Sequence, residues 1–191
     1  MLDFDKNTDC SLCSDKCIAQ FIDMEDIPIL NRNKTVVHYS AGQVITKQSS
    51  FSSKIIYISS GLVKTMKEGR NGKNTIIQVI GENSFLTIPI HESQKKYTIT
   101  SIALTDAKIC EINEPGIHEI ISKSQKFSDY ILDSYFEDQI YLTNRLHILN
   151  TRNNHGKLAS SLLYLNDFNK NGFSIFEHLT RKIWLNYHQY L

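Results

Sequence analysis

The four cysteines of this chain are its clearest candidates for a chemical role. Three lie close together as Cys10, Cys13 and Cys17, and the fourth, Cys110, follows much later. Four thiolates are the ligand set of a tetrahedral Zn²⁺ ion and of a [4Fe–4S] cluster. The pattern therefore predicts a metal centre held by four sulfurs. A Zn²⁺ ion, an iron–sulfur cluster and metal-free redox thiols all stay open as alternatives.

The composition favours a globular protein of the cytoplasm. Apolar residues make up 41% of the 191 residues, and no run approaches the roughly 18 apolar residues of a membrane span. The first residues are acidic and polar, unlike a secretory signal. Cytoplasmic cysteines stay reduced, which favours metal or redox chemistry over structural disulfides. The formal net charge of +1 gives no strong electrostatic sign of nucleic-acid binding.

No motif of an enzyme active site is present in the sequence. The seven histidines are scattered, and none belongs to an H-E-x-x-H pair. A glycine-rich phosphate loop and a G-x-S-x-G elbow are also absent from the sequence. We therefore expect that the chain is not an enzyme.

The cysteines must be positioned by two kinds of element. Residues 36–112 contain many short, β-branched segments separated by turns, among them Asn71-Gly72, a strong hairpin signal. Such a series predicts a sandwich or jelly roll. From residue 117 to residue 149 the apolar spacing becomes helical, and a second helix is predicted over 157–167.

The long helical segment carries a stripe with steps of four and three residues. The stripe consists of Tyr135, Gln139, Leu142, Leu146 and Leu149. This is the spacing of a two-stranded coiled coil with one polar member, so it predicts a homodimer. The alternative is a long helix that packs on its own sandwich.

The order of these elements resembles the CRP/FNR superfamily of bacterial transcription regulators. Similar segments are 39–45 at the first turn of the roll, 57–64 at a strand–glycine–strand hairpin, Gly81-Glu82 at the phosphate cassette, and 142–165 at the dimer helix. The resemblance implies an α+β fold, with a β-roll of the cyclic-nucleotide-binding type, a dimerisation helix and a winged helix-turn-helix. It divides the chain into a cysteine arm (1–20), the roll (21–121), the dimerisation helix (122–152) and an incomplete DNA-binding domain (153–191).

Within that superfamily the cysteines resemble the FNR branch. The resemblance implies a [4Fe–4S] cluster on Cys10, Cys13, Cys17 and Cys110 that senses oxygen or redox state, although the triplet is spaced more tightly than usual. Leu142 stands where FNR-type sensors tend to carry a carboxylate, which implies a dimer that persists in air.

The resemblance also implies that the chain does not bind cAMP. Cyclic-nucleotide-binding members carry an Arg-Ser pair in the cassette, where the guanidinium forks onto the cyclic phosphate. Tyr97-Thr98 stands there in this chain. The nearby Lys95 and Lys96 offer point charges and not a fork.

The C-terminal segment fits the family pattern only in part. Residues 178–182 resemble the start of the first helix of the helix-turn-helix, which makes Thr180, Arg181 and Lys182 candidate contacts to promoter DNA. Residues 183–191 depart from the pattern, so we expect a chain truncated or frameshifted within this motif; a genuine short tail is the alternative. Loss of the groove-reading helix would leave a dimeric sensor or interaction module without DNA binding.

Overall fold

A computed structural model describes residues 3–5, 17–51, 54–87 and 96–170 of the chain. Nine strands and four α-helices occur in these residues. In chain order they are β1 (Asp3–Asp5), α1 (Ile27–Asn33), β2 (Lys34–Tyr39), β3 (Val44–Thr46), β4 (Lys54–Ser60), β5 (Val63–Glu68), β6 (Asn74–Ile80), β7 (Ser84–Thr87), β8 (Thr100–Ala103), β9 (Ala107–Asn113), α2 (Glu114–Lys123), α3 (Gln125–Thr151) and α4 (Asn154–Lys170). No described helix is long and apolar enough to cross a membrane.

The strands form two antiparallel sheets that close into a roll. One sheet has the order β1-β2-β9-β4-β7, and the other has the order β3-β8-β5-β6. Alternate residues of both sheets point inward and form a buried apolar cluster that includes Val37, Ile58, Val63 and Ile109, as expected from the two-residue period of a strand. The predicted α+β fold, a β-roll followed by long helices, is therefore confirmed.

Two glycine turns explain why the strands end where they do. Gly72 has a positive φ of 72° in the turn between β5 and β6, which confirms the hairpin predicted from Asn71-Gly72. Gly61 has a φ of 95°, and a Cβ at this position would lie 2.5 Å from the Asp106 carbonyl oxygen. Only glycine fits there, because the turn needs both a left-handed backbone and close approach.

The helical segment that follows the roll is broken at Ser124, whereas its apolar spacing predicts one continuous pattern. Ser124 has an extended backbone and caps α3, where its Oγ accepts from the Phe127 amide. The same Oγ donates to Asp23 Oδ2 at 2.7 Å. The break lets the short helix α2 bury Ile117 and Ile120 in the core, while α3 starts in a new direction.

Three elements were not predicted from the sequence. They are β1, β7 and α1. The helix α1 has a readable signal, because Asp26 stands at its N-cap position and Pro28 lies in its first turn. Its buried Ile29 and Leu30 join the cluster beneath the first sheet.

The last described helix, α4, is docked on the roll. The Tyr164 hydroxyl donates to the Val79 carbonyl at 2.6 Å, and Leu165 packs in a small cluster with Leu62 and Leu104. The predicted helix over 157–167 lies within α4. The rest of the predicted incomplete DNA-binding domain, residues 171–191, lies outside the described residues.

Candidate functional site

The fold brings two of the predicted cysteine ligands into one buried cluster. Cys110 is a member of β9 in the middle of the first sheet and is 3% exposed. Cys17 directly precedes the 3₁₀ turn Ile18–Phe21, is half-buried, and packs against the same cluster. The cluster lies between the outer face of the sheet and the helices α1, α2 and α3.

The other two predicted ligands, Cys10 and Cys13, lie outside the described residues. They precede Cys17 by seven and four positions in the sequence. Within the part of the chain that the structure describes, no group of three or more His, Cys, Asp or Glu side chains could hold a metal ion. Any metal centre here therefore depends on the two remaining cysteines.

Tyr57 is a polar member of this cluster that the sequence did not reveal. It is the register partner of Cys110 on the neighbouring strand β4, and it is fully buried. Its hydroxyl makes no hydrogen bond with any described residue. Burial raises the pKa of Tyr57, and the neighbouring Tyr130, Cys17 and Cys110 raise it further.

The Tyr130 hydroxyl is a neighbour of the Tyr57 hydroxyl, and its own proton has another acceptor. It donates to the Asn83 carbonyl at 3.1 Å. Electrostatically the two tyrosines behave as neighbours, since each affects the pKa of the other. The two hydroxyls nevertheless do not meet the geometry of a hydrogen bond.

Three contacts tie the segment after Cys17 to the start of the long helix α3. The rings of Phe21 and Tyr130 are stacked with centroids 3.5 Å apart. Lys126 Nζ donates to the Gln20 carbonyl at 2.7 Å. The Ser124 cap holds Asp23. A displacement of Cys17 would therefore disturb contacts made by the first turns of α3.

Beyond its first two turns, α3 turns apolar side chains outward. Only Phe127 and Ile131 of this helix are buried, but farther along it the Arg145 guanidinium donates to the Ile76 and Ile77 carbonyls of β6 on the roll. Of the predicted seam, Tyr135, Gln139 and Leu146 are exposed, whereas Leu142 and Leu149 are half-buried. The structure adds three large exposed side chains that the four-and-three spacing missed, Leu132, Phe136 and Ile140. No partner chain tests the seam, which stays a prediction.

The predicted cassette pair lies beside the roll. Tyr97 is half-buried and packs against the inward-facing cluster, and Thr98 is exposed. Residues 88–95 lie outside the described residues, so the absence of cAMP binding stays a prediction. The candidate DNA contacts Thr180, Arg181 and Lys182 also lie outside them.

Residues 36–124 match the cyclic nucleotide-binding domain family. No curated protein sequence matches the chain.

The solved structures that share its fold include the following three. FixK2 from Bradyrhizobium japonicum has a TM-score of 0.68 at 10% identity, over 82% of this chain and 77% of that one. The c-di-GMP-responsive global regulator CLP from Xanthomonas campestris has a TM-score of 0.63 at 15% identity, over 75% and 72%. The catabolite activator protein of Thermus thermophilus has a TM-score of 0.54 at 13% identity, over 76% and 70%. At these identities the likeness concerns the fold.

Proposed function

We propose that this chain, which carries a cyclic nucleotide-binding domain over residues 36–124, is a CRP/FNR-type transcription regulator. It senses oxygen or redox state through a metal–sulfur centre on Cys10, Cys13, Cys17 and Cys110. One observation carries this proposal: Cys17 and Cys110, far apart in sequence, pack in the same buried cluster. The fold shared with FixK2 and CLP supports the regulatory part of the proposal.

The surroundings of the two thiols fit a metal–sulfur group. They are enclosed by aliphatic and aromatic side chains, and the cluster contains a buried hydroxyl that no described residue satisfies. Sulfur ligands of metal centres commonly receive hydrogen bonds from such outer groups. A [4Fe–4S] cluster bound here would supply an oxygen-labile group whose potential depends on its surroundings; a Zn²⁺ ion would instead supply a structural crosslink.

The residues of the chain suggest how the signal leaves the site. When Cys17 is tied to Cys110, the 3₁₀ turn Ile18–Phe21 is held against α3 through Phe21 and Gln20. Release of Cys17 would weaken this support and shift the balance between two arrangements of α3.

The outward apolar face of α3 supports a homodimer as the working form. Its exposed members Leu132, Phe136 and Leu146 suit a seam between two parallel helices. A two-fold dimer would place two DNA-binding segments on a palindromic operator in promoter DNA. A dimeric sensor or interaction module without DNA binding is the alternative, favoured by the departure of residues 183–191 from the helix-turn-helix pattern.

Anaerobic reconstitution with ferrous iron and sulfide tests the sensing part. We expect brown protein with near-stoichiometric iron and sulfide, which bleaches in air. Colourless protein that carries zinc would replace the sensor with a structural site. Protein that binds neither would overturn the metal centre.

A gel-shift assay tests the DNA-binding part of the proposal. Promoter fragments should be retained at raised salt with a sequence preference, since non-specific binding weakens steeply as salt increases. A dimer that shows no such preference would instead be the interaction module.

A further inference from the structure

We propose that the buried hydroxyl of Tyr57 donates a hydrogen bond to a sulfur ligand of the cysteine site. This inference rests on the proposed function, because it names a group that acts on the same metal–sulfur centre. Tyr57 would then hold the sulfurs in place and adjust their electron density without binding the metal itself.

Strand register places the tyrosine next to the thiol. Tyr57 and Cys110 are paired residues on the adjacent antiparallel strands β4 and β9. Side chains of such a pair project from the same face with Cβ atoms about 4.5–5.5 Å apart. Both belong to the buried cluster against which Cys17 packs, so the tyrosine ring stands among the two candidate ligands.

The hydroxyl itself needs a partner that the described residues do not provide. Tyr57 is 0% exposed, and its oxygen is buried without a hydrogen bond to any residue of the described ranges. Leaving a buried donor unsatisfied is costly, so native proteins rarely do it. If packing alone mattered at this position, phenylalanine would fill the space without that cost.

The neighbouring Tyr130 shows how a tyrosine hydroxyl finds a hydrogen-bond acceptor in the same cluster. Tyr130 directs its proton to the Asn83 carbonyl at 3.1 Å, and its ring stacks on Phe21. The Tyr57 hydroxyl meets no acceptor at hydrogen-bond geometry among the described residues. An electron-rich sulfur beside the ring is an acceptor of the right kind, and hydrogen bonds to sulfur are among the factors that set the potential of iron–sulfur centres.

The test compares Tyr57→Phe with the matched control Tyr130→Phe, since each removes one buried hydroxyl and keeps its ring. Full-length proteins are reconstituted anaerobically with ferrous iron and sulfide, and then challenged with a chelator. We expect Tyr57→Phe to lose iron about 10–100-fold more readily than the wild type. Its midpoint potential should also fall, because a hydrogen bond favours the electron-rich reduced form. Tyr130→Phe should stay close to the wild type in both measurements.

In the metal-free proteins the two substitutions should affect stability in the opposite order, with Tyr130→Phe the more damaging one. Without a centre, Tyr57→Phe should melt at or above the wild-type temperature, because it removes an unsatisfied buried hydroxyl. Tyr130→Phe should melt lower, because it loses the bond to Asn83. A purely structural role for Tyr57 cannot produce stabilisation of the metal-free form together with loss of the loaded one.

Two outcomes would overturn the inference in distinguishable ways. If wild-type protein takes up iron and Tyr57→Phe has the same retention and potential, the hydroxyl has another partner, such as the Tyr130 oxygen or a buried water molecule, and only this inference fails. If the wild type takes up neither the cluster nor Zn²⁺, the proposed function fails with it.

Discussion

The two faces of the first sheet carry two buried tyrosines that the fold treats differently. On the inner face, Tyr39 donates to Glu111 at 3.0 Å, and Glu111 also pairs with Lys54. On the outer face, the Tyr57 hydroxyl beside Cys110 has no hydrogen-bond partner among the described residues. The folded chain supplies a hydrogen-bond acceptor for the Tyr39 hydroxyl, but its described residues supply none for the Tyr57 hydroxyl. The inner cluster therefore serves stability, whereas the outer cluster is where we propose the metal–sulfur centre.

The largest difference between the faces should appear when Cys110 is changed. Cys110→Ser should abolish uptake of iron and sulfide, since a neutral hydroxyl is a poor substitute for a soft thiolate ligand. The matched control is Glu111→Gln, which changes the adjacent residue on the opposite face and should leave uptake intact. Iron and sulfide analysis after anaerobic reconstitution measures both. Equal uptake by Cys110→Ser and the wild type would remove Cys110 from the site.

The inner face should respond most strongly to loss of its carboxylate. Glu111→Ala leaves the Tyr39 hydroxyl buried without its acceptor, and we expect the free energy of unfolding to fall by about 1–3 kcal/mol. Urea denaturation measures this, with Glu119→Ala as control, because Glu119 pairs with Lys123 on the exposed surface of α2 and such exposed pairs contribute little to stability. A loss no larger than that of the control would contradict the structural role of the inner cluster.

Alkaline pH should reveal a property that the two tyrosines share. Burial is the main cause that raises the pKa of Tyr39 and of Tyr57 above the ordinary value of 10.0, so both stay protonated in the folded state. The unfolded chain loses these protons above pH 10. The free energy of unfolding should therefore be unaffected by them below pH 10 and fall above it, by about 1.4 kcal/mol per pH unit for each tyrosine.

Urea titrations of the metal-free protein on both sides of pH 10 check this slope. Tyr39→Phe and Tyr57→Phe should each make it shallower by a similar amount. A slope that neither substitution changes would show that these hydroxyls ionise equally well in the folded protein.

The smallest expected effect is the loss of one hydroxyl from the inner face. Tyr39→Phe removes the bond to Glu111 but leaves that carboxylate paired with Lys54, so the free energy of unfolding should fall by about 1 kcal/mol. Urea denaturation of the metal-free protein at neutral pH measures it. A Tyr39→Phe protein as stable as the wild type would erase the contrast with Tyr57.

Local signals made the roll predictable from the sequence. Gly61 and Gly72 mark turns whose backbone favours or requires glycine, and the segments between them alternate buried and exposed residues. The same kind of local reasoning failed at Ser124, because the apolar spacing continues across a residue whose side chain caps α3. Phe136 and Ile140 were missed because a strict heptad stripe is narrower than the apolar face that α3 leaves exposed.

The candidate site depended on information that is not local. The four cysteines were visible from their spacing, and the family resemblance indicated that Cys110 belongs with the triplet. Tyr57 could not be found in this way, because its place beside Cys110 follows from the register of β4 against β9. A long connection separates these two strands, and no pattern in either strand fixes their alignment.

The adjacency of Cys110 and Glu111 makes β9 unusually sensitive to changes in its length. Successive residues of a strand face opposite sides, so the thiol enters the cluster beneath the helices while the carboxylate enters the roll. Deletion or insertion of a single residue before this pair would exchange the two faces. A charged carboxylate would then meet the aromatic cluster, and the thiol would meet Tyr39. This strand should therefore tolerate single-residue insertions or deletions before the pair much less well than substitutions.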